Sequence, residues 1–135
     1  MNNEKLDEIF NKLSNQVEGR KGHWRFLIDS TVFICLTDEL HNRMRIISPI
    51  VEAHEVSDAK LKRCMEANFH SALDARYAIG DNVLWSTFIH PLRELDTNQV
   101  VSAVSQVYSC AKTFGTTYSS GSLSFPSKDE NISQN

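Results

Sequence analysis

Leu6, Ile9, Phe10, Leu13 and Val17 fall on one stripe at helical spacing, with Asn, Lys, Glu and Gln between them. That period predicts an amphipathic helix over 6–17, closed by Gly19 and Gly22. The period then shortens. Residues 24–28, 31–37 and 43–51 are runs rich in Val, Ile and Phe, separated by Asp29-Ser30 and by the polar stretch 38–42. They predict three strands in an antiparallel meander. Pro49 within the third points to an edge position or a bulge.

Ser57 and Asp58 are suited to start a second helix, with Val56 and Leu61 at staple positions. Leu61, Cys64, Met65 and Phe69 form its apolar stripe. Residues 76–79 and 83–90 predict a hairpin around Gly80-Asp81-Asn82, ended by Pro91. Asp96 and Gln99 stand in capping-box spacing at the start of a last helix, 96–114, followed by Gly115. The segment 119–135 is Ser, Gly, Asn, Asp and Lys with few apolar residues, and is expected to be a flexible polar tail behind one domain over 1–118. The expected fold is α+β: a five-stranded antiparallel sheet with three helices, in the order α-β-β-β-α-β-β-α.

The strands carry a second message. Val83, Trp85 and Ile89 alternate with Leu84 and Phe88; Val32, Ile34 and Leu36 alternate with Phe33 and Cys35; Met44, Ile46 and Ile50 oppose Ile47 and Val51. Both faces of the sheet are therefore apolar, whereas a sheet with one wet face should alternate apolar with polar. Either a helix crosses to the second face or a partner covers it.

Composition narrows the classes. The chain has 135 residues, 41% hydrophobic and 23% charged, which suits one soluble domain. Its formal charge is −3 and its pI about 5.9, so no basic excess drives nucleic-acid binding. The one basic cluster, Arg20, Lys21, His23 and Arg25 around Trp24, reads as a loop solvating the start of a strand, with a small patch for an anionic partner as the alternative. No run approaches the roughly 20 apolar residues of a membrane span, and residues 1–10 carry acids where a secretory signal needs an apolar core. Three widely spaced cysteines, Cys35, Cys64 and Cys110, make no disulfide framework. A cytoplasmic protein with no membrane partner is expected.

Chemical motifs are sparse. His23, His41, His54, His70 and His90 are scattered singly, with no Cys-x-x-Cys and no glycine-rich phosphate loop. No thiol or hydroxyl is paired with a base in sequence. The expectation is a binding domain, not an enzyme, without metal or organic cofactor. The rival is a small enzyme with a site of Asp, Glu and His at the rim of the sheet.

Three segments carry a family resemblance. Ala67-Asn68-Phe69 ends the second helix; Arg76-Tyr77-Ala78-Ile79 and Val83-Leu84-Trp85 flank the last turn; His90-Pro91-Leu92-Arg93-Glu94-Leu95-Asp96 leads into the last helix. Together with the element order, they resemble the class I type III secretion chaperones, the Tir-chaperone-like superfamily. The YbjN-like group shares the pattern equally. The resemblance implies a non-enzymatic homodimer that binds an extended segment of a client protein. It implies a dimer contact through Met65, Phe69, Trp85 and Phe88 of the second helix and last hairpin. It also implies a client surface that includes Phe10, Trp24 and Phe26 of the first helix and first strand.

Overall fold

In the computed structural model, which describes residues 1–121, the first helix, α1, spans Asn3–Leu13. The Asn2 side chain caps it by accepting from the Lys5 N–H. Its stripe of Leu6, Ile9 and Phe10 is buried. The expected continuation to Val17 does not form. The Ser14 hydroxyl accepts from the Gln16 N–H and donates to the Leu27 carbonyl at 2.5 Å, turning the chain towards the sheet. Val17 then starts a strand, β1 (Val17–Arg20), that pairs antiparallel with β2 (His23–Ile28). Only glycine fits at position 19. Its φ is +103°, and a Cβ there would lie 2.3 Å from the His23 carbonyl oxygen.

The sheet therefore has six strands where five were expected. The others are β3 (Thr31–Asp38), β4 (Arg43–Glu52), β5 (Arg76–Gly80) and β6 (Val83–His90). Their order is β1-β2-β3-β4-β6-β5, with every pairing antiparallel. Asp29-Ser30 and Asp81-Asn82 each make a two-residue turn with both residues at positive φ, which matches the twist of the flanking strands. A 3₁₀ turn, Ala53–Glu55, leads from β4 to the second helix.

That helix, α2, spans Asp58–His70 and is capped by Ser57. The last, α3, spans Thr97–Lys112 and has the full capping box of Asp96 with Gln99. Inward-facing residues of α2 are Cys64 and Ala67; Met65 and Phe69, expected in its buried stripe, point outward.

Pro49 sits in a central strand, and the register shifts between Pro49 and Val51. That bulge places Val51 opposite Leu84, so Val51 changes sides relative to strict alternation.

All three helices pack on one face of the sheet. Phe10 stacks on Phe26 at 4.6 Å, Phe26 on Phe33 at 5.2 Å, and Phe10 meets Trp24 edge-on at 5.4 Å. Each such pair adds about 0.5–1.5 kcal/mol to the burial of its rings. Hydroxyls from the same face fix α3: Ser86 Oγ donates to the Val107 carbonyl and Tyr77 to that of Cys110, each at 2.8 Å. Ser119 to Gly121 fold back onto α2's end, where the Ser71 hydroxyl donates to the Tyr118 carbonyl and Ser120 Oγ accepts from the Leu73 N–H. The remainder of the expected tail, 122–135, lies outside the described residues.

Candidate protein-binding surface

Residues opposite one another in an antiparallel pair share a face, so the register sorts every strand residue. The helix side holds Trp24, Cys35, Ile46 and Phe88 in one continuous row. The neighbouring row on the other side runs Glu18, Arg25, Ile34, Ile47, Thr87 and Arg76 across all six strands. Beside it run Leu36, Arg45 and Ile89. No helix covers this second face. Val32, Ile34, Leu36, Ile47 and Trp85 are half-buried by neighbours alone, and Ile89 is 50% exposed. The three-layer alternative, with a helix crossing to the back, does not occur. Trp85 lies across the last hairpin, its Nε1 donating to the Gly80 carbonyl at 2.9 Å.

The residues expected to form sites separate into three environments. Phe10, Trp24 and Phe26 are 0–1% exposed in the core between α1 and the sheet. The Trp24 indole N–H is also engaged by the Asp7 carboxylate at 2.9 Å. These rings are packed into the protomer core rather than exposed on its surface. Phe88 is likewise in the core, stacked on His90. Trp85 is on the open face. Met65 and Phe69 are on the outer side of α2, 55% and 78% exposed. Ile79 at the edge strand β5, absent from the expected set, is also exposed. Aromatic residue type alone suits core and interface equally; the parity of Trp85 against Phe88 along β6 is what separates them.

The rim of the sheet holds a cleft lined by Asp74, Phe88, His90, Asp96, Gln99 and Gln106. Its polar groups already hold the fold together. Asp96 caps α3; Gln106 Oε1 accepts from the Asp74 and Ala75 N–H groups; His90 Nδ1 lies 2.8 Å from the Pro91 carbonyl oxygen. Glu52, His54 and Glu55 come together at the 3₁₀ turn, all exposed to water. Burial pushes the thiol of Cys64 up to about 11, and raises those of Cys35 and Cys110 as well. These buried thiols are protonated at neutral pH and poor nucleophiles.

No protein-family model matches the sequence, and no curated protein matches it. The fold does have counterparts. The Yersinia pestis type III secretion chaperone SycH, solved with a stable fragment of YscM2, superposes with a TM-score of 0.62 at 18% identity, covering 83% of this chain and 98% of that one. The chain has the type III secretion chaperone fold. The HopA1–SchA chaperone–effector complex gives a TM-score of 0.61 at 10% identity, with 83% and 94% covered. The ExsC–ExsE complex gives 0.61 at 9%, with 83% and 92% covered. At these identities, the shared chaperone fold speaks for architecture alone. Among the described residues, no helix is long and apolar enough to cross a membrane.

Proposed function

We propose that this chain is a non-catalytic, chaperone-like protein that holds an extended segment of a client against the open face of its sheet. The observation that carries this reading is that face itself. Its strands β3, β4 and β6 present Val32, Ile34, Leu36, Ile47, Trp85 and Ile89 with no covering layer. Contiguous apolar surface of this kind marks an interaction site. The chaperone fold, seen in complexes of SycH and of SchA with protein partners, supports the same reading. The rim cleft does not favour an enzyme, because its carboxylates and amides serve caps and turns.

The functional unit we propose is a homodimer joined through Met65, Phe69 and Ile79, with Trp85 at the boundary of the same contact. Phe69 is the best probe, because its side chain is exposed in the protomer. Light scattering should give twice the 15.3 kDa chain mass, and Phe69→Glu should give a folded protein of single mass. A wild-type protein of single mass at all concentrations contradicts the dimer.

The client role is tested by recovering proteins bound to the tagged full chain in its own cells. A client should be retained by wild type and by Glu8→Gln, an exposed change on α1, and lost with Ile34→Asp. Equal recovery by Ile34→Asp, with its circular dichroism unchanged, contradicts the open face as the client surface.

A further inference from the structure

The open face is not only apolar. In a chain of net charge −3, it carries an excess of arginine. Arg25, Arg43, Arg45 and Arg76 all belong to it by register. The nearest basic partners of its carboxylates are other groups than Arg45 and Arg76. Glu18 pairs with Arg25 at 2.7 Å, the Asp38 carboxylate lies 2.8 Å from the His41 ring, and Glu52 lies 3.4 Å from that of His54. Among the described residues, Arg45 and Arg76 have no carboxylate partner; Arg76 Nε donates to the Leu73 carbonyl at 3.2 Å, which leaves its terminal N–H groups free of an acid. Arg45 stands between Leu36 and Ile89, in the middle of apolar surface, and Arg76 ends the row that contains Ile34, Ile47 and Thr87.

We infer that the open face selects client segments in which apolar side chains are interleaved with carboxylates. This rests on the client reading above and names the chemistry of the client. An apolar segment laid across the sheet would strip water from both guanidinium groups, which is costly unless an anion replaces it. A carboxylate does so through paired, charge-assisted N–H donors. The spacing follows from the sheet. Arg45 and Arg76 are two strands apart and offset by two residues along the strand direction, since Arg45 faces Ile89 and Arg76 faces Thr87. With strands about 4.8 Å apart and a rise of about 3.3 Å per residue, their backbones are roughly 12 Å apart. An extended segment spans that distance in about four residues, and residues four apart point to the same side. The recognised pattern is an acid, an apolar residue two positions on, and a second acid after two more.

The test uses a displayed library of random 12-residue peptides selected against three forms of the full chain: wild type, the double variant Arg45→Glu with Arg76→Glu, and Ile47→Asp. Both arginines are exposed, so their reversal leaves the fold intact. Wild type should enrich Asp and Glu spaced four apart around an aliphatic or aromatic residue. Synthetic peptides from that pool should bind the double variant at least tenfold more weakly, and the double variant's own pool should turn towards Lys and Arg. If wild type and the double variant select the same charge composition while Ile47→Asp selects nothing, the acidic specificity is overturned and the docking face stands. If Ile47→Asp selects the wild-type pool, the docking face falls and the specificity with it. No enrichment by wild type also overturns the inference. So does tight binding of a 20-nucleotide single-stranded DNA that is lost in the double variant, which would reassign the arginines to phosphate.

Discussion

The Asn68 side chain bonds the backbone of Tyr77 twice, accepting from its N–H at 2.8 Å and donating to its carbonyl at 2.9 Å. One amide from α2 thus takes the place of a neighbouring strand along the outer edge of β5. Edge strands are managed in this way because their free N–H and C=O groups otherwise recruit other chains. Two of the segments that carry the family resemblance, the end of α2 and the last hairpin, are joined by this contact. Asn68→Ala should therefore cost about 1–3 kcal/mol and increase self-association. Urea unfolding reads the first effect, and light scattering over a concentration series the second; unchanged stability contradicts the strand-surrogate role.

The Asp29-Ser30 turn stores strain, with φ of 48° and 65° at two residues that are not glycine. Left-handed backbone costs an ordinary residue such as Ser30 about 1–2 kcal/mol, and Asp29 less. Ser30→Gly should raise stability by about 1 kcal/mol, since part of the gain returns as chain entropy in the unfolded state. A lower unfolding midpoint in this variant contradicts the turn geometry.

The parts of the fold that read directly from sequence are those determined locally. Ser57, the Asp96–Gln99 pair and the Asp81-Asn82 turn act within a few residues of themselves. The short strand β1 was hidden because Val17 also fits the helical stripe of Leu6 to Leu13. What removes it from the helix is the Ser14 hydroxyl bonding to Leu27, thirteen residues away. The bulge after Pro49 reverses Val51 for a related reason: it depends on pairing with β6, which alternation within one strand does not contain. The open face was legible as two-sided apolar strands. Which aromatics lie on it was not, because Phe10, Trp24 and Phe26 are as fitting for a core as for an interface.

Cys35, Cys64 and Cys110 are fully buried and their thiols are held protonated by desolvation. Native protein should be silent towards a thiol-exchange reagent at neutral pH, and all three cysteines should react in denaturant. Rapid reaction of any thiol in the folded state contradicts this core.

Asn42 joins the β3–β4 turn to the segment before α3, donating to the Glu94 carboxylate at 2.9 Å while its side-chain oxygen accepts from the Arg93 N–H at 2.7 Å. That hydrogen bond holds the Glu94 carboxyl below its ordinary value. A carboxyl lowered in the folded state adds stability above its unfolded value, about 4.3, and loses it as pH falls through the folded value. Glu94→Gln should be less stable than wild type at pH 7, with the difference closing below about pH 4. Unfolding curves at pH 7 and pH 3 check this; a constant difference contradicts the linkage.

Whether the open face of the sheet meets a protein partner can be read by methyl NMR of the isoleucine-labelled chain. Isoleucines sample the sheet on both sides: Ile34, Ile47 and Ile89 on the open face, Ile46 in the core with Ile9 of α1, and Ile79 at the β5 edge. On adding a client recovered from the native cells, Ile34, Ile47 and Ile89 should shift or broaden, with Ile9 and Ile46 unmoved. A bound client that leaves those three unchanged and perturbs Ile79 or the core pair instead contradicts the open face as the partner surface.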